Sequence, residues 1–172
     1  MPVQEIVELG NSFLWERCAP VSEPSSASVS ELVNDLRDTL EHFREEYGFG
    51  QGIAAPQIGS LTRVIYIKTA SKGFEGALIN PEITDESPER YEMWDSCFCF
   101  PRLLARVSRA AEVRVDYLDT EGQQQTLEAT GELASLLQHE IDHLDGVLAV
   151  EKAVTPKAFC SRTEWERQGR PF

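Results

Sequence analysis

Cationic side chains are outnumbered in this chain: 16 Lys and Arg stand against 29 Asp and Glu, a formal charge of −13. Such a deficit repels phosphate backbones and excludes direct nucleic-acid binding by the domain as an expectation, while leaving small-molecule and peptide substrates open. No apolar run approaches the length that crosses a bilayer, so no membrane partner is expected. The residues from Met1 to Glu5 hold no basic stretch leading into an apolar one, and the expected address is cytoplasmic. The four cysteines, Cys18, Cys97, Cys99 and Cys160, have no C-x-x-C pairing, which predicts free thiols or one thiolate ligand in place of disulfides. Histidine is scarcer still, with three residues.

Two of those three fall in Gln138-His139-Glu140-Ile141-Asp142-His143, while His42 lies far upstream in a charged segment. Side chains four apart share a helix face, so His139 and His143 can offer two imidazole nitrogens to one ion. Glu140 lies between them, placed to reach water beside that ion and to take and pass on a proton. This is the H-E-x-x-H signature of a metal-dependent hydrolase.

The rest of the chain frames that segment. With 172 residues, one domain spanning 1–172 is expected. A helix is predicted from Ser28, where Ser28 and Glu31 form a capping-box pattern, through Val29, Leu32, Val33, Leu36, Leu40, Phe43 and Tyr47, ending at Gly48. The stretch from Gly48 to Gly59 is too glycine-rich for a regular element and too apolar for a solvated loop. Alternation and β-branched content predict strands over 63–68, 77–83, 91–98, 105–108, 112–118 and 124–129. Turns are expected at Ser71-Lys72-Gly73, at Asn80-Pro81 and at Asp119 to Gly122. The metal helix follows Gly131 and ends near Gly146, and Thr155-Pro156 predicts a short last helix to about Gln168. Strands gathered between helices predict an α+β fold, with antiparallel or mixed sheets packed around the metal helix.

A catalytic metal site needs a third protein ligand. Asp142 lies on the wrong side of the helix, and Trp94 to Pro101 offers Cys97, with Cys99 as the alternative. The blander fate of both is as small buried strand residues.

The segment Gly50-Gln51-Gly52-Ile53-Ala54-Ala55-Pro56-Gln57 resembles the G-x-G-x-A-A-x-Q motif of peptide deformylases, and residues 138–143 match that family's Q-H-E-x-D-H motif. Between them Asp95-Ser96-Cys97-Phe98-Cys99 stands in register with the family's E-G-C-L-S. The resemblance also takes in Gly10-Asn11 through Val21 and Leu78-Ile79-Asn80-Pro81. It implies that Cys97, His139 and His143 bind one divalent ion, usually Fe²⁺ in the family, with Zn²⁺, Ni²⁺ or Co²⁺ possible in isolated protein. It further implies Glu140 as general base and then acid, with the Gln57 side chain and the Phe98 backbone N–H donating to a developing oxyanion. Donors of that kind are worth about 3 kcal/mol of barrier each. Gly52 would let the substrate backbone approach, and Arg109 would support Asp95. The implied reaction is hydrolysis of an N-formyl amide on a peptide or nascent chain, releasing formate. Lys152, Lys157, Arg162, Arg167 and Arg170 raise ribosome docking, but that short mixed segment reads as an ordinary surface helix.

The sequence also departs from the family. Asp95 is one carbon shorter than the usual Glu, Cys99 replaces Ser, and an extended segment would put Cys99 on the face of Cys97, near the ion. Glu132 and Ser135 lie seven and four residues before His139, on its face. With Gln51 they put polar groups where the family lines a methionine pocket, while Met93, Leu136 and Phe98 remain apolar. That pattern predicts either a pocket for a polar or basic side chain or, with those groups turned to solvent, an unchanged apolar slot. Beside these enzymatic readings stands a non-catalytic metal- or peptide-binding relative.

Overall fold

The computed structural model describes residues 3–69 and 73–170. An irregular start with a 3-10 turn at Ser12–Trp15 leads into helix α1, Ala27–Tyr47. Strands β1, Gly52–Ala54, β2, Val64–Lys68, and β3, Glu75–Glu86, follow, then β4, Arg90–Ser96, and β5, Leu103–Ala110. After them come β6, Glu112–Leu118, β7, Gln124–Thr130, helix α2, Gly131–Leu144, strand β8, Phe159–Ser161, and the short α3, Arg162–Arg167. The strands form two antiparallel sheets, one ordered β1-β2-β3-β6-β7 and a smaller one ordered β4-β5-β8. The fold is thus α+β with antiparallel sheets, and among the described residues no helix is long and apolar enough to cross a membrane.

The period-2 alternation of β2 decides where the helices lie. Ile65 and Ile67 turn to one face and pack with Leu137, Ile141 and Leu144 of α2. Val64 and Tyr66 turn to the other and pack with Val29, Leu36 and Leu40 of α1. Leu36, Leu40, Leu137 and Leu144 are fully buried, each stabilising the sandwich by roughly 1.5–3 kcal/mol. A third cluster, around Leu14, Cys97, Cys99, Phe100 and Val107, joins the N-terminal segment to the small sheet.

Several boundaries differ from the sequence expectation. Helix α1 starts at Ala27, earlier than the Ser28–Glu31 pattern predicts, with Ser26 extended at the N-cap position and making no side-chain cap bond, so that capping box is not used; Gly48, with φ of 73°, ends the helix as expected. Strand β3 runs through Asn80-Pro81 in place of turning there: Asn80 takes a φ of 51° at a register shift, and its side-chain amide brackets Val21 at 2.7 and 2.8 Å. Thr155 opens no helix. Its hydroxyl accepts from the Lys157 N–H at 3.2 Å, and the chain goes on to pair β8 with β5, so α3 begins only at Arg162, after the Ser161 cap. Asp119 does close the predicted hairpin, accepting from the Glu121 and Gln123 N–H groups. In the expected turn at 71–73, Ser71 and Lys72 lie outside the described residues.

Candidate active site

The site sits where three segments meet: the β1 strand with its following 3-10 turn, the end of β4, and the middle of α2. Gln138 anchors α2 there, its Oε1 accepting from the Ala110 N–H at 2.9 Å and its Nε2 donating to Ala110 O and Ala134 O. The next residues then project inward. His139 Nε2 lies 3.2 Å from His143 Nε2, which lies 3.2 Å from Cys97 Sγ. Strand β4 stops at Ser96, two residues short of the expected end, and a turn closed by Phe100 N–H to Cys97 O follows. Cys99 therefore comes beside Cys97 through a turn, not through the pleat of a strand. The ligand atoms of Cys97, Cys99 and His143 all lie within 4.8 Å of one another. His42 is elsewhere, exposed and facing Glu46.

Behind the imidazoles is a buried ionic chain. Asp95 Oδ2 is 2.9 Å from His139 Nδ1 and 2.9 Å from Arg109 Nη2, so the shorter carboxylate reaches both partners. Arg109, 1% exposed, also binds Asp142, whose other oxygen takes Lys152 Nζ at 2.6 Å. Asp142 thus faces away from the donors as expected, but its role as the outer anchor was not read from the sequence.

Electrostatics follow burial. It pushes the Glu140 carboxyl up to about 7, with the nearby His139 opposing. For His139 burial works downward, yet the charge and hydrogen bond of Asp95 outweigh it and raise the pKa to about 9. Burial and the neighbouring His139 hold His143 well below the usual range, and burial with the Cys99 thiol pushes Cys97 well up.

The donor set fits a divalent cation. Ligand atoms at usual Zn–N and Zn–S lengths around a tetrahedral ion stand about 3.3–3.8 Å apart, close to the 3.2 Å separations found. With Nδ1–H given to Asp95, a neutral His139 has its Nε2 lone pair on the side of His143, where an ion could take it. Buried Glu140 Oε2 has no hydrogen-bond partner among the described residues.

These groups border a cavity of about 370 Å³ that also takes in Gln51, Gly52, Gln57, Met93, Asp95, Phe98, Glu132, Ser135 and Leu136. Cys97, His139 and Glu140 reach its wall, whereas His143 and Arg109 stand behind it. Gln57 accepts the Ala54 N–H at 2.7 Å through Oε1, which turns Nε2 toward Cys97 Sγ at 3.4 Å. At Gly52 a Cβ would meet Glu140 Oε1 at 2.6 Å and Ile67 Cδ1 at 2.9 Å, so the missing side chain makes room for the carboxylate. The Phe98 ring packs away from the donors, between Phe43 and Phe49, over a Gly50 whose Cβ would strike it at 2.2 Å. Ser135 is buried and donates to the Met93 sulfur, while Glu132 is exposed at the cavity edge. Tyr91, Trp94 and Trp165 also line the cavity. Trp165 carries no local sequence signal for this place, because α3 follows the pairing of β8 with β5.

A thiol and a His-Glu-x-x-His helix converging at one buried point, with a carboxylate beside them on a cavity, define a metal-dependent amide hydrolase. The sequence matches the family described as Polypeptide deformylase over residues 3–159, and the chain belongs to that family. It is 38% identical over 153 residues to the peptide deformylase of Desulfitobacterium hafniense, covering 89% of this chain and 96% of that one. It is 39% identical over 153 residues to that of Pelotomaculum thermopropionicum, covering 89% and 93%. Among solved structures, a peptide deformylase from Legionella pneumophila superposes with a TM-score of 0.82 at 32% identity, covering 98% and 96%. The Ehrlichia chaffeensis enzyme in complex with actinonin gives 0.84 at 29%, covering 92% of each chain.

Proposed function

We propose that this chain hydrolyses the N-formyl amide at the amino terminus of peptides and nascent chains, with Cys97, His139 and His143 holding one divalent ion, Fe²⁺ in the cell. The observation that carries the reading is the convergence of Cys97 Sγ, His143 Nε2 and His139 Nε2 at 3.2 Å steps beside Glu140, whose Oε2 has no hydrogen-bond partner among the described residues. Family membership and the peptide deformylase relatives support it further.

Held by Cys97, His139 and His143, a divalent ion would supply Lewis acidity to the formyl group and the attacking water. Glu140 takes a proton from that water as its oxygen bonds to the formyl carbon. Gln57 Nε2 and the Phe98 backbone N–H donate to the formyl oxygen as it gains negative charge. The C–N bond then breaks, Glu140 hands the proton to the departing nitrogen, and formate and a free amine result. Asp95 holds the His139 ring in place, and Arg109 holds Asp95. Gly52 leaves space for Glu140 and, with it, for the approaching peptide backbone. The same reading puts the protein in the cytoplasm, where nascent chains are made, and gives the α3 segment no ribosome-docking role.

A second reading concerns the residue next to the formyl group. Gln51, Glu132 and Ser135 border the cavity, and Glu132 stands at its edge, where an extended basic side chain would end. The test of the main reading is formate release from formyl peptides, measured anaerobically with Fe²⁺ or in air with Ni²⁺, beside Glu140→Ala. Release lost in the variant, with ion content kept, supports catalysis; an ion-loaded wild type inert on a panel of formyl peptides makes the chain a binding relative.

A further inference from the structure

We infer that Cys99 is a second sulfur ligand to the ion, so that this chain can complete the coordination sphere with protein donors alone. The inference rests on the metal-site reading above.

Its basis is the turn after β4. The Leu9 N–H bonds Cys99 O at 2.9 Å and the Phe100 N–H bonds Cys97 O at 3.2 Å, which curls residues 97 and 99 to one side. Cys99 Sγ then lies within 4.8 Å of both Cys97 Sγ and a His143 ring nitrogen. Two sulfurs on one tetrahedral ion stand about 3.8 Å apart, so a shift on the order of 1 Å seats Cys99. At 2% exposure Cys99 has almost no access to solvent. Gln57 Nε2 lies 3.4 Å from Cys97 Sγ and 3.6 Å from Cys99 Sγ and donates toward both, so the two sulfurs share one neighbour.

The chemistry separates this chain from the serine-bearing pattern that it resembles. A serine hydroxyl is a poor ligand for such ions, whereas a second soft thiolate makes a tetrahedral S₂N₂ set, which Zn²⁺ readily occupies in isolated protein. A sphere filled by four protein donors is the closed form typical of structural sites. Cys99 therefore competes with water for the open position, retaining a soft ion and slowing hydrolysis until it withdraws.

The test is X-ray absorption on the Zn²⁺-loaded full chain, with Cys99→Ser and Cys99→Ala alongside. Two sulfur neighbours in the wild type and one in each variant is the expected result. With Co²⁺ as the probe, the thiolate-to-metal absorption of the variants falls to about half. One sulfur in the wild type, or a wild type that takes up no Zn²⁺, overturns the inference, and the wild-type measurement stands even where a variant fails to fold. One sulfur together with formate release leaves the hydrolase reading in place. Two sulfurs with no formate release under Fe²⁺, Ni²⁺ or Zn²⁺ supports Cys99 as ligand and removes the catalytic reading.

Discussion

Replacing Asp95 by Asn removes one negative charge from the interior while nearly preserving its shape. Asp95 Oδ2 serves two cationic or donor groups at once, Arg109 Nη2 and His139 Nδ1, each at 2.9 Å. Arg109 is 1% exposed and cannot turn to water, so after the substitution it depends on Asp142, which Lys152 already shares. Breaking a buried ion pair from one side costs roughly 3–5 kcal/mol, and because Asp142 and the Asn carbonyl each retain part of the interaction, a smaller loss, about 2–3 kcal/mol, is expected. The effect on the ion is separate. His139 loses the charged acceptor that fixes its ring, and supporting groups of this kind are worth about 10–100-fold in metal affinity. Urea unfolding of the ion-free protein reads the first quantity, and competition with a chromophoric chelator reads the second. A variant within ~0.5 kcal/mol of wild type in stability, a typical change for an unconnected surface position, and unchanged in affinity would refute the proposed role of Asp95.

Three further outcomes are expected. Gln57→Glu keeps the bond from the Ala54 N–H but replaces the amide donor with an acceptor, so kcat for formate release falls by about 10²–10³ with KM little altered; an unchanged kcat removes Gln57 from the oxyanion contact. Gly52→Ala drives a methyl into Glu140 Oε1 and Ile67 Cδ1, costing about 1–3 kcal/mol and lowering activity more than ion content; a fully active variant shows that Glu140 has room to spare. If Glu132 reads the side chain next to the formyl group, formyl-Lys and formyl-Arg peptides outpace formyl-Met, and Glu132→Leu reverses the order. A wild-type preference for formyl-Met ends that idea and leaves Met93 and Leu136 as the apolar slot.

What the sequence disclosed depended on how local the deciding physics was. Helix α1 was legible because Leu36 and Leu40 repeat at helical spacing and Gly48 can take the left-handed conformation that stops it. The metal helix was legible for the same reason, with chemistry added: two of three histidines four residues apart. Strand β1 was not, since its three residues are all buried and its pairing comes from β2, beyond any local alternation. The last helix was placed too early because Thr155-Pro156 is a sound local start signal, which β8 pairing with the edge of β5 overrides. Cys99 was placed near Cys97 by strand geometry, and the neighbourhood is right although the turn, not the pleat, brings it there. The two-sided grip of Asp95, and Asp142 as the far anchor of Arg109, needed three elements in place before they could be seen.

The most direct measurement on the central claim is an anomalous-scattering crystal structure of the Zn²⁺-loaded chain, recorded at the zinc edge. One peak at about 2.0–2.3 Å from Cys97 Sγ, His139 Nε2 and His143 Nε2 is the predicted result. No peak, or an ion seated on Cys97, Cys99 and His143 with His139 left out, would contradict it.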